Sequence, residues 1–239
     1  MNAFSYIDHL LRNREQVISE LQDSGKVAAI TRVCFCVFVS LTILYGIIMG
    51  SQGLMHGNPG AGWKYALAAG VKLPLLFLLT LVICLPLLYV LNVLIGPRAR
   101  FSVVFGILIA SFAVTSIVLA ACAPILAFFM LSTKSYPFIK LLDVGIFTLA
   151  GLYGVCFLGK ALRTLTPAAP EGTSQPGGGK VDTIITWWLI TYGIVGTQMA
   201  WLMRPFIGDP NAPFSFFRAQ ESNFYVNLAV TIGKLLGAK

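Results

Sequence analysis

From Leu73 to Ile95 the chain carries eleven leucines and no charged side chain, and no other feature limits its folding as strongly. Packed in a soluble domain, such a run would leave almost no face for water. Wound as a helix, it crosses a hydrocarbon core about 30 Å thick, which takes roughly 20 apolar residues. Further apolar blocks run from Val33 to Met49, Phe101 to Leu131, Leu141 to Leu158 and Thr183 to Met203. In lipid every backbone polar group has to be satisfied within the structure. The expected fold is therefore all-α, a polytopic integral membrane helical bundle of about five transmembrane helices, with amphipathic helices at both ends. Composition agrees, since 57% of the 239 residues are hydrophobic, 11% are charged and the mean hydropathy is +0.82, whereas soluble domains carry roughly 25% charged residues.

The formal net charge of +8 raises the question of nucleic acid. The lysines and arginines, however, stand in ones and twos beside the apolar blocks, as charges flanking a membrane do. The expected partners are the lipid bilayer and other membrane proteins or a second copy of the chain, and not nucleic acid. Cys34, Cys36, Cys84, Cys122 and Cys156 all lie inside apolar blocks, where a thiol behaves as a small hydrophobe, so no disulfide framework is expected. Cys34 and Cys36 point about 200° apart on a helix and cannot share a metal. With His9 and His56 distant in sequence, no metal site is expected and no cofactor is implied.

Three regions organise the chain. Residues 1–30 place Phe4, Ile7, Leu10, Leu11, Val17, Ile18 and Leu21 at helical spacing, with Arg12, Arg14, Glu15 and Glu20 between them. This is an amphipathic helix, cytoplasmic or lying on the membrane surface. It lacks an early apolar core, so the first apolar block reads as an uncleaved anchor. Residues 31–204 form the five-span domain, interrupted at 166–182 by a flexible loop rich in proline and glycine. Residues 205–239 form an aromatic loop and a short interfacial helix from Phe224 to Leu236, too short to span.

Within the spans, Trp63 to Lys72 reads as an interfacial helix leading into span two, with Pro74 in that span's first turn and Pro86 as an interior kink. The run Phe101 to Leu131 would measure about 46 Å as straight helix and reads as one tilted span bent at Pro124. Small residues let helix backbones approach, and Gly106, Ala110, Ala113, Gly151, Gly154, Gly193 and Gly196 are the expected packing positions. Six arginines against two favour the side of the N-terminus as cytoplasmic, and the expected location is a bacterial inner membrane.

Asp143 is the only carboxylate near a span, three residues after Lys140, with which it can pair at the interface. Gln175 to Asp182 brings glycines before Lys180, but Val181 stands where a phosphate loop needs Ser or Thr. No nucleophile–base set can be assembled, so catalysis is not expected. The segment from Arg204 to Tyr225 gathers Phe206, Phe214, Phe216, Phe217, Phe224 and Tyr225 with Arg204 and Arg218. Aromatics and arginine are enriched at interface hot spots, which makes these eight residues the candidate partner-binding surface. Dipping into the headgroups or capping the protein's own bundle are the alternatives.

The polar N-terminal segment, the Lys72-Leu73-Pro74 opening of a leucine-rich span, its Leu91-Asn92-Val93-Leu94-Ile95-Gly96 exit and the small-residue spans that follow resemble bacterial relatives of the Yip1 family over about residues 33 to 160. The resemblance implies a membrane-organising adaptor without a catalytic motif. The expected function is a non-enzymatic integral membrane scaffold or assembly subunit. The alternative is a small channel or transporter component. The stretch after Arg204 departs from that family's plan.

Overall fold

The computed structural model describes residues 14–23, 25–53, 59–95, 100–133, 135–165, 177–204, 206–207, 216 and 224–235. Its main elements are all helices: α1 (Arg14–Gln22), α2 (Val27–Gly50), α3 (Pro59–Ile95), α4 (Phe101–Ser132), α5 (Tyr136–Leu165), α6 (Gly177–Leu202) and α7 (Phe224–Leu235). No strand occurs among the described residues. Val27–Gly50, Gly62–Cys84, Phe101–Ser132 and Tyr136–Thr164 are each long and apolar enough to cross a membrane. The chain is a multi-pass helical membrane protein, as expected. At 26 residues α6 has the length of a span, but Thr183, Thr186, Thr191, Thr197 and Gln198 make it more polar than those four.

The bundle is built around α4. Within its span 78% of residues are buried, against 28% for α5. Helices α2, α3, α5 and α1 all pack against α4, α6 leans mainly on α3, and α7 bridges α5 and α6. Lipid tails are as apolar as leucine, so burial from water does not hold these helices together and close packing has to. One device is aromatic. Phe38 of α2, Phe77 of α3 and Phe112 of α4 meet with ring centroids 5.4 to 5.6 Å apart, and Tyr192 ties α6 to the group at 6.0 Å from Phe112. The geometries are tilted or edge-on, as the ring quadrupole favours.

Several boundaries differ from the sequence expectation, each for a local reason. Trp63 to Lys72 is no separate interfacial helix. It continues unbroken into α3, because Ala66, Leu67, Ala68, Ala69 and Val71 hold no helix breaker. Pro74 is therefore interior to a helix of 37 residues, and it lies four residues after Gly70, so the carbonyl it leaves unpaired belongs to a residue without a side chain. The run from Phe101 is one helix through Pro124, as expected. Residues 177–182, expected to be loop, are the opening of α6 directly after Pro176; glycines are tolerated there because the first turn has no upstream carbonyl to bond. The rest of that loop lies outside the described residues.

The N-terminal helix also sits differently. Val17, Ile18 and Leu21 are buried at 2% exposure or less, packed on α4 and α2 and not laid into lipid. A tight turn makes this possible. Asp23 accepts the backbone N–H groups of Lys26 and Val27 at 3.1 Å with its carbonyl, and its carboxylate accepts the N–H of Gly25 at 3.0 Å, which folds α1 back against the start of α2.

Candidate functional site

Two features of the bundle are candidates: one follows from how polar groups survive in lipid, the other from how closely helix backbones approach there. Near the C-terminal end of α2, Tyr45 is fully buried and donates its hydroxyl to Asp143 Oδ1 of α5 at 2.8 Å. The ring of Tyr45 also meets Phe147 edge-on at 5.7 Å. Asp143 does not pair with Lys140, as the sequence allowed. Lys140, one turn nearer the start of α5, donates instead to Asn227 Oδ1 and, at 3.5 Å, to Thr231 Oγ1 of α7. Its stem reaches toward Asn227 and Thr231, the polar side chains of the otherwise apolar α7, while Asp143 faces the buried side of α5.

Lys72 belongs to the same layer. It is 1% exposed, donates to the backbone carbonyl of Phe216 and lies 4.4 Å from the centre of that residue's ring. An ammonium is expensive to remove from water unless it is hydrogen-bonded, and the carbonyl and the ring face supply two of the contacts it needs. Sequence reasoning placed Lys72 at the interface and overlooked both Tyr45 and the carbonyl of Phe216. Two charges flanking apolar runs were legible, but nothing in their spacing points to a tyrosine 98 positions away.

The other feature is a set of small-residue crossings. A Cβ on Gly46 would stand 2.6 Å from the backbone oxygen of Ala69, and one on Gly50 would stand 2.6 Å from that of Tyr65. The two glycines form a Gly-x-x-x-Gly step that presses α2 onto α3. That spacing was visible in the sequence. Of the expected packing positions, Gly106 lies where an added Cβ would stand 2.8 Å from Thr31 Oγ1, and Ala110 and Ala113 are fully buried. Gly154 sits so close to Thr115 Oγ1 that an added Cβ would overlap it, and its carbonyl accepts the Ser111 hydroxyl at 2.8 Å. Gly151 and Gly193 face open space, and a Cβ added on Gly196 would meet Thr80 Cγ2 at 3.7 Å, an ordinary contact.

The aromatic segment is divided. Phe214, Phe217 and Arg218 lie outside the described residues. Those described make contacts within the chain: Arg204 lies 3.7 Å from the ring centre of Trp201, Phe206 packs beside Ile207 on the core formed by Tyr45, Leu126 and Ile139, and Phe216 covers Lys72. Tyr225 shares a hydrogen bond with Thr197 at 3.1 Å and stacks edge-on with Phe224. The reading in which these residues cap their own bundle thus has direct contacts behind it.

Among the described residues, one face of α5 remains uncovered. Gly145, Leu149, Leu152, Cys156, Gly159 and Arg163 follow one another along α5 at spacings of three and four, and Leu149, Leu152 and Cys156 are exposed. A Cβ on Gly145 or Gly159 would meet nothing within 4 Å. All five cysteines are free thiols. Among the described residues no three of His, Cys, Asp and Glu gather closely enough to hold a metal ion. Compared with known proteins, the chain matches no family model, no curated protein and no solved structure.

Proposed function

We propose that the chain is a non-enzymatic scaffold or assembly subunit of a membrane, most naturally a bacterial inner membrane, that binds other membrane proteins along the outer face of α5. The observation that carries this reading is the contrast between α4, 78% of whose span is buried, and α5, of whose span only 28% is buried. The open face pairs glycines at 145 and 159 with leucines at 149 and 152, which lets a second helix come close and gives it side chains to pack against. The polar groups described so far do not argue for a solute path: Ser111, Thr115 and Ser116 on α4 each donate to a backbone carbonyl, and Asp143 is held by Tyr45. The Yip1-like texture of residues 33 to 160 points the same way.

In this reading α6 is the fifth span, so the termini lie on opposite sides with the N-terminus cytoplasmic. Cysteine labelling of Asn2→Cys and Lys239→Cys variants from one side of intact cells should modify one and spare the other. For the scaffold role the test is co-purification from native membranes. Gly145→Phe with Leu152→Ala should leave folding intact and strip the co-purifying membrane proteins. Recovery of the unaltered chain as a bare monomer that conducts solute in liposomes would favour the channel reading instead.

A further inference from the structure

Helix α6 turns part of its polarity inward. Trp188 is 2% exposed, and Tyr192, one turn on, stacks its ring against the indole with centroids 5.6 Å apart and planes at 29°. Each carries a buried polar atom that meets no hydrogen-bond partner within the chain, Trp188 Nε1 and the Tyr192 hydroxyl. Tyr192 as a whole is only partly buried, but its hydroxyl is enclosed. The indole N–H can only donate, and in lipid a buried donor left unpaired costs more than a hydrogen bond returns. Two such groups one helical turn apart call for a shared acceptor.

The facing wall is α3, on which α6 mainly leans. Thr80 and Cys84 stand there one turn apart, both buried. A Cβ on Gly196 would lie 3.7 Å from Thr80 Cγ2, and Cys84 neighbours Tyr192. Phe112 of α4 bounds a third side, its ring 6.0 Å from that of Tyr192. None of these residues carries a charge, so the enclosure offers nothing to offset an ion taken out of water. It suits a small neutral molecule that accepts hydrogen bonds.

We infer that Trp188 and Tyr192 hold one buried water at the joint of α3, α4 and α6, which accepts the indole N–H and the phenol O–H and donates to the Cys84 sulfur. A buried water takes roughly two to four polar partners, and these three residues supply them. Thr80 does not compete as a donor, because its hydroxyl is spent on the Leu76 carbonyl at 2.8 Å. Through the water, α6 is fastened to α3 by hydrogen bonds as well as by packing.

Water-selected NMR of the full chain in detergent micelles, with the tryptophan indoles labelled with nitrogen-15, tests this. The chain has four tryptophans, and Trp188→Phe identifies the Trp188 signal by its loss. That N–H should show a cross-peak at the water frequency although the residue is buried. Tyr192→Phe, which keeps the ring and removes the hydroxyl, should abolish the cross-peak while the Trp201 signal stays in place. Where Tyr192→Phe disturbs the Trp201 signal, Cys84→Val takes its place: it removes the acceptor and fills the enclosure, and the cross-peak should again be lost. Exchanging chloride for gluconate should leave the Trp188 shift unchanged. A missing cross-peak in the unaltered chain, one that survives these variants undiminished, or a Trp188 shift that follows chloride would each overturn the assignment.

Discussion

Adding one methyl group at Gly46 tests whether backbone contact holds α2 to α3. The new Cβ would stand 2.6 Å from the oxygen of Ala69, 2.9 Å from its carbonyl carbon and 2.9 Å from Gly70 Cα. All three are backbone atoms, so no side chain can swing aside. Since ordinary contact begins at 3.4 Å, α3 would have to withdraw by about 0.8 Å at this point, losing dispersion contacts along the crossing. Overpacking of this kind costs about 1 to 3 kcal/mol. Alanine is the better helix former by about 1 kcal/mol, which leaves Gly46→Ala destabilised by up to about 2 kcal/mol. At Gly151, where a Cβ meets nothing within 4 Å, the same change should be neutral or stabilising by up to about 1 kcal/mol. Unfolding in mixed micelles with increasing dodecyl sulfate, followed by tryptophan fluorescence, measures both. If the two variants move in the same direction by the same amount, close approach does not hold this crossing and the argument fails.

Three further outcomes follow from the same structure. Tyr45→Phe should destabilise the bundle by about 1 to 3 kcal/mol, the range for stranding a buried polar group, whereas Asp143→Asn, which keeps an acceptor for the tyrosine, should cost less; equal losses in the unfolding assay would mean that their hydrogen bond is not the cause. Gly154→Ala should drive the Thr115 side chain from its bond to the Ser111 carbonyl, and Thr115→Ala should recover part of the loss, a coupling of about 0.5 kcal/mol or more in a double-mutant cycle; strict additivity would refute it. Lys72→Met should release the chain around Phe216, seen as faster cleavage near that residue by a soluble protease, and an unchanged cleavage rate would show that Lys72 does not anchor it.

What was legible in the sequence was set by the bilayer. Runs such as Leu73 to Ile95 have one favourable fate in lipid, so the helical class and the continuous helix from Phe101 through Pro124 could be read directly. Boundaries were harder where the chain changes depth without changing structure. Trp63, Lys64 and Lys72 suggested an interface, and the inference that an interface ends a helix was the error: nothing between Trp63 and Lys72 breaks one, and α3 runs through. The packing face of Gly106, Ala110 and Ala113 was readable from spacing alone. Gly151 and Gly154 were not separable that way, although one faces open space and the other presses on Thr115, because rotation about α5 is decided by α4.

The polar layer shows why pairings escape a reading along the chain. Lys140 and Asp143 are neighbours in sequence with opposite charge, and in water their attraction would be a fair guess. In the bundle each has a better solution. Lys140 stands at the first turn of α5 and reaches the polar groups of α7, while Asp143, one turn deeper and facing inward, takes the one donor that α2 offers at that depth. An exposed ion pair contributes less than 1 kcal/mol, whereas leaving either group unsatisfied in a buried site costs more than that. The choice therefore falls to whichever arrangement satisfies both groups across helices. Through these contacts α2, α5 and α7 are fixed to one another at the same depth, and the outer face of α5 is held in register with the rest of the bundle without a covalent link.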